Sequence, residues 1–191
     1  MKTIPHPNRR ETMTLDGSRI APCLWLDSEA EPAARFYTSV FPNSSIGRIS
    51  TYGKEGHEVH GRPEGSVLTV DFVLDGHPFT ALNGGPHFTF NEAISFQVIC
   101  SNQEEVDHFW DRLSADGDPA AQQCGWLKDR FGVSWQVVPV QLQELLERPD
   151  PERTGRVMEA LLGMKKLDIA GLQQAYDGPA PSDPTPTAET P

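Results

Sequence analysis

Apolar residues recur at helical spacing twice along this chain, and the two stretches match. Ala33, Phe36, Tyr37, Val40 and Phe41 follow the i, i+3, i+4, i+7 pattern of an amphipathic helix. Phe109, Trp110 and Leu113 stand 73 positions after Phe36, Tyr37 and Val40, with Val106 on the same helical face. Ser28-x-x-Glu31 and Ser101-x-x-Glu104 open the two helices at that same offset. Each has the form in which a serine hydroxyl and a glutamate carboxylate satisfy one another's free backbone N–H groups. Pro32 is compatible with the first turn, where its missing N–H would have no partner in any case.

Short apolar runs of strand length precede both helices, at 20–26 and 94–100. Pro42-Asn43 stops the first helix, and strands are predicted at about 45–52, 66–74 and 77–82. Asp75-Gly76 marks a two-residue hairpin between the last two. Between 53 and 65 lies a polar, glycine-containing stretch that reads as a mobile loop. The second helix ends near 115–119, and strands are predicted near 120–123, 125–129 and 134–138, with Arg130, Phe131 and Gly132 turning the chain. A duplicated unit of strand, helix and three strands follows.

Beyond Pro139 the pattern becomes helical, through Leu142, Leu145 and Leu146. Asp150-Pro151 sets a cap and first residue for a longer helix, whose apolar positions are Val157, Met158, Leu161 and Leu162. Asp168 is the predicted cap of a last helix carrying Ile169, Leu172 and Tyr176. The expected organisation is a disordered extension (1–17), paired modules over 18–139 (about 20–86 and 91–139), C-terminal helices (140–177) and a disordered Pro-rich tail (178–191).

The 191 residues suffice for one sizeable domain or two small modules sharing a core. The 37% apolar fraction is low for a globular chain, partly because the terminal stretches are polar. Sixteen basic against 27 acidic residues give a net charge of −11, which repels phosphate backbones and anionic lipid. Nucleic acid and membrane are therefore not expected as partners. No run approaches the roughly 20 apolar residues of a membrane span, and the first ten residues hold no apolar export core; a cytoplasmic location is the expectation. Cys23, Cys100 and Cys124 are odd in number and scattered, and read as reduced, packed thiols.

Among candidate chemical groups, His57 and His60 with Glu55 and Glu58 offer metal-ligand types, but the surrounding glycines favour a solvated loop. His77 and His87 read as surface imidazoles. Asn83-Gly84-Gly85 either turns the chain or lets a ligand approach bare backbone. Gln97, Gln122, Gln123 and Gln136 are polar positions in apolar strands; if buried they need partners, and otherwise they face a wet cleft. Trp110 reads as core, whereas Trp25, Trp126 and Trp135 lie in strands where an indole can wall a pocket. Lys128-Asp129 reads as a turn, with Lys128 a candidate anion contact.

The duplicated unit, Phe36-Tyr37, and Lys128-Asp129-Arg130-Phe131-Gly132 followed by Trp135-Gln136 resemble the vicinal oxygen chelate superfamily of glyoxalases, extradiol dioxygenases and drug-resistance binding proteins. The stretches at 36–44 (FYTSVFPNS), 82–86 (LNGGP), 91–98 (NEAISFQV) and 124–129 (CGWLKD) are similar to its PhnB-like branch, whose members often bear the label 3-demethylubiquinone-9 3-methyltransferase. The resemblance spans about residues 20–177. It implies an α+β fold of two βαβββ modules forming a half-open barrel around a cleft, and commonly a homodimer.

Many members of that superfamily hold a divalent metal with four His or Glu side chains. The corresponding positions here fall on Pro22, Thr80, Ser95 and Gln136, so the expectation is no metal and no cofactor. The methyl transfer of the label would call for a Gly-rich strand-to-helix loop holding an adenosyl cofactor, and none is evident.

The expected function is binding of a small organic molecule in a metal-free concave cleft lined by Trp25, Thr80, Asn83, Gln97, Trp126, Lys128, Trp135 and Gln136. The alternative is an enzyme of the same superfamily, either a metal-dependent lyase, isomerase or dioxygenase, or the methyltransferase of the label. A third reading has the helices over 150–176 docking a partner protein.

Overall fold

The computed structural model describes residues 19–179. The extension at 1–17 and all of the expected tail except Gly178 and Pro179 lie outside the described residues. The chain divides into two compact units, residues 1–89 and 90–191.

The first unit runs β1 (Cys23–Leu26), α1 (Ala30–Val40), β2 (Ser45–Thr51), α2 (His57–His60), β3 (Val67–Leu74) and β4 (His77–Asn83). Its four strands are ordered β1-β4-β3-β2, with β1 parallel to β4 and the other pairs antiparallel. Asp75 (φ 44°) and Gly76 (φ 79°) are both left-handed, as the predicted hairpin requires. One sheet face, with Leu24, Leu26, Val70, Phe72, Leu74, Phe79 and Ala81 all buried, packs under Ala33, Ala34, Tyr37 and Val40 of α1. Tyr37 stacks on Phe72 with ring centroids 6.3 Å apart. Burial of each leucine, valine and phenylalanine of this face contributes about 1.5–3 kcal/mol. The polar stretch at 53–65 is more structured than expected, because glycines in the left-handed region at 56 and 61 bracket the single helical turn of α2.

The second unit runs β5 (Phe96–Cys100), α3 (Gln103–Ser114), a 3₁₀ turn at Pro119–Ala121, β6 (Trp126–Lys128), β7 (Ser134–Pro139), α4 (Val140–Leu146), α5 (Pro151–Gly163) and α6 (Ile169–Asp177). Its sheet has three strands, β5-β7-β6, with β5 parallel and β6 antiparallel to β7. The strand expected at 120–123 does not form. Pro119 supplies no N–H, the Asp118 side chain accepts from Ala120 N to close the 3₁₀ turn, and only a Gln123–Trp126 bridge remains. Cys124 (φ 53°) and Gly125 (φ 84°) then turn out of extended conformation. Their N–H groups donate to the Met164 and Lys165 carbonyls, each at 2.8 Å.

Val106, Trp110 and Leu113 of α3 are buried, as are Val98, Cys100, Leu127, Trp135 and Val137 of the sheet. A separate C-terminal core gathers Leu142, Leu145, Val157, Leu167, Leu172 and Tyr176, with Val138 packed against it. The apolar face predicted for α5 is only half used, since Met158 and Leu162 stay exposed. Asp150 and Asp168 cap α5 and α6 as expected, accepting from Arg153 N and Ala170 N.

Both predicted serine caps are displaced. Asn102, not Ser101, caps α3 by accepting from Glu105 N at 2.9 Å, while Glu105 reaches back to Ser101 N at 2.7 Å. The reciprocal logic survives one residue later. At α1 the capping residue Glu29 makes no side-chain cap bond; instead Asn83, from the end of β4, accepts from Ala30 N at 2.8 Å. Among the described residues no helix is long and apolar enough to cross a membrane.

Candidate ligand-binding faces

Strand alternation gives each sheet a second face, opposite its helix. In the first unit, register aligns Cys23, Thr80 and Asp71 across β1, β4 and β3, and aligns Trp25, Leu82, Thr69 and Ser50 in the neighbouring row. All point away from α1. The Thr80 hydroxyl donates to Asp71 Oδ1 at 3.0 Å, and Ser50 and Thr69 share a hydroxyl–hydroxyl bond. Trp25 donates through Nε1 to Gly85 O at 2.8 Å and meets Phe88 edge-on at 4.9 Å.

In the second unit, register aligns Gln97, Gln136 and Trp126, and the face opposite α3 carries Gln97, Gln136, Trp126 and Lys128. Gln136 Nε2 donates to Ser95 Oγ at 2.8 Å, and Gln97 Nε2 donates to Gln136 Oε1 at 3.3 Å. Lys128 is paired with Glu92 at 2.5 Å, and that ammonium's hydrogen bond holds the Glu92 carboxyl below the ordinary carboxylate range.

Six of the eight residues expected to line a cleft thus lie on these two faces: Trp25 and Thr80 on one, Gln97, Trp126, Lys128 and Gln136 on the other. Asn83 and Trp135 point the opposite way. Asn83 is 7% exposed, and its amide is used at both ends, from Ala30 N and to Val67 O. Trp135 is 3% exposed, with Nε1 donating to Asp129 Oδ2 at 2.8 Å. Asp129 Oδ1 meanwhile accepts from Phe131 N and Val133 N, which is the predicted turn chemistry. Gly84 has a role beyond turning the chain. A Cβ there would lie 2.2 Å from the Trp25 ring, so its missing side chain is what lets the indole lie against the backbone.

His57 and His60 sit 6.1 Å apart by ring centroid. The His60 ring is engaged by Tyr52 at 4.4 Å, by Arg62 N at Nδ1 and by Glu55 O at Nε2. His77 and His87 are exposed. Cys100 is buried, and desolvation pushes its thiol up to about 12, with the Glu105 charge adding to the effect.

The positions implied for a metal do not fit one. Pro22 offers a ring and a carbonyl that accepts from Thr80 N at 3.0 Å. Thr80 is turned to Asp71, and Ser95 and Gln136 bind each other. These neutral, mutually satisfied oxygens lack the imidazole or carboxylate donors that hold a divalent cation. Among the described residues, no group of three or more His, Cys, Asp or Glu is placed to hold a metal ion.

One acidic side chain on these faces went unnoticed in the sequence, Asp71. Alternation within Val67–Leu74 puts it on the same side as Thr69, and that signal was available.

Helix-backed sheets in a repeated β-α-β-β frame agree with the fold that the vicinal oxygen chelate resemblance implies. The family model described as 3-demethylubiquinone-9 3-methyltransferase matches residues 18–138, and the chain belongs to that family, within the PhnB-like branch. The PhnB protein from Bacillus cereus is 35% identical, with a TM-score of 0.54 over 64% of this chain and 99% of that one. Protein PA1353 from Pseudomonas aeruginosa is 17% identical (TM-score 0.48, 63% of this chain and 96% of that one). The fosfomycin resistance protein FosX from Listeria monocytogenes is 16% identical (TM-score 0.44, 69% and 98%). No curated protein sequence matches. The family match ends before α4, so α4–α6 are additional to it.

Proposed function

We propose that this protein binds a small organic molecule on a sheet face turned away from its helix, without a metal, as a cytoplasmic homodimer. The observation that carries the reading is the pairing of an indole with directed polar groups on each face: Trp25 beside Thr80, and Trp126 beside Gln97 and Gln136. Aromatic area supplies affinity by burial, and a few fixed donors and acceptors supply orientation. The neutral donor set at the implied metal positions supports a metal-free site, and the superfamily resemblance supports the dimer.

Native mass spectrometry of protein purified without chelator tests the ligand, the metal and the subunit number. The expected result is a metal-free dimer carrying an organic adduct. About one divalent metal per subunit would overturn the reading in favour of lyase, isomerase or dioxygenase chemistry.

A further inference from the structure

On the face opposite α1, Asp71 occupies the middle of β3, flanked by Val70 and Phe72, which turn to the core. Its side chain is 15% exposed. Oδ1 accepts from Thr80 Oγ1 at 3.0 Å, and its other neighbour is Arg48 Nε, 3.5 Å from Oδ2. That guanidinium is a loose partner, since its side chain is 78% exposed, and pairs of this kind contribute little.

The backbone opposite Asp71 is irregular. β2 pairs Ile46 with Phe72 and Ile49 with Val70, so Gly47 and Arg48 together face the single residue Asp71. Such a bulge re-aims a side chain and breaks the ladder locally. A carboxylate has room for about four hydrogen bonds, and Asp71 has one firm bond and one weak ion pair. Cys23 lies in the same cross-strand row. Its thiol is raised chiefly by desolvation and further by the charge of Asp71, so the carboxylate's field reaches across the row. The next row supplies the apolar surface of Trp25 and Leu82. The chain's net charge of −11 attracts cations and repels anions.

We infer that Asp71 is the polar anchor of the binding face, and that the ligand it reads is a small aromatic cation, an amine whose charged end meets Asp71 while its ring lies over Trp25 and Leu82. This rests on the proposed small-molecule reading and names the ligand class. Arg48 occupies the anchor until the ligand displaces it. Thr80 fixes the carboxylate's orientation.

The test titrates the full chain at pH 7 with benzylamine and with benzyl alcohol, which shares the ring but not the charge, following backbone amide shifts. Benzylamine is expected to move residues 69–73 and 78–82 and to bind about tenfold tighter than the alcohol, as a partly desolvated ion pair should. In Asp71→Asn, which retains an acceptor for Thr80, that preference disappears. In Arg48→Gln, a change at an exposed side chain, benzylamine still binds and keeps its preference over the alcohol.

Equal affinity of both probes in the native chain, or an undiminished preference in Asp71→Asn, overturns the anchor and leaves the binding face standing. Loss of the benzylamine preference in Arg48→Gln also counts against it. If neither probe shifts these amides, the binding reading of this face fails together with the inference.

Discussion

The two units begin from the same pattern and complete it by different means. In the first, the sheet reaches four strands within its own stretch of chain, closed by a hairpin at Asp75-Gly76, and its helix is capped from across the sheet by Asn83. In the second, the helix is capped by its own neighbour Asn102, but the fourth strand is missing. The N–H groups left at Cys124 and Gly125 are satisfied by Met164 and Lys165, in a segment that lies beyond the family match. A repeat in sequence is therefore not a repeat in what each copy depends on: the second copy needs the C-terminal helices.

Ending the chain at Pro139 should have the largest effect. It leaves two backbone donors without partners, removes Leu167 from above Gly125 and frees Gln103, which bonds Leu167 O and Ile169 N. The cost is about 5 kcal/mol, comparable with the whole stability of a small domain. In an amide NMR spectrum, signals from 96–100 should collapse while those of 69–82 persist; survival of both sets would break the comparison.

Asn83→Ala should cost about 3 kcal/mol, because it orphans the buried Ala30 N and the part-buried Val67 O. Asn102→Ala should cost about 1 kcal/mol, as loss of an exposed cap does. Urea midpoints decide this pair, and equal losses would mean the caps do not differ in kind.

Gly125→Ala ranks next, at about 2 kcal/mol, since it combines a left-handed φ with a Cβ 2.9 Å from the Val137 carbonyl. Gly76→Ala meets only the Asn43 side chain, at 3.3 Å, and should cost about 1 kcal/mol. Thermal melts of the two variants compare them.

The smallest effect is a pH dependence confined to the second unit. The Lys166 hydrogen bond lowers the Asp107 carboxyl, and Asp107 in turn raises Lys166. A carboxylate depressed in the folded state stabilises above its unfolded pKa, and that contribution fades as pH falls through the folded value. The lysine contribution fades instead as pH rises through its raised pKa. The difference in urea midpoint between the native chain and Lys166→Met should therefore be full at pH 7 and shrink as pH falls below the ordinary carboxylate range. A constant difference would show that the lysine acts through packing.

Much of this was legible in the chain because it depends on neighbours in sequence. Helical spacing located α1, α3, α5 and α6, Asp75-Gly76 located the hairpin, and Asp150 and Asp168 act where local capping chemistry places them. Six of the proposed lining residues follow from alternation, which also marks Asp71 as a member of the same face. The misplacements share an origin in side-chain partners that periodicity does not reveal. Asn83 looked like a loop residue beside glycines, yet it caps a helix 53 positions away. Trp135 reads as a pocket wall, but Asp129, six positions earlier, holds its indole on the helix side.

The sequence by itself determined the element order, the repeat and the identity of most side chains on each sheet face, because periods of 3.6 and 2 are properties of the local backbone. Only the tertiary structure decided which asparagine caps which helix, that the strand at 120–123 gives way to a 3₁₀ turn, and that Asp71 meets Thr80 opposite a bulge. Each of those outcomes depends on which side chain satisfies a particular donor or acceptor, whether from 53 positions away as at Asn83 or from two as at Asp118, and hydrophobic periodicity does not encode that choice.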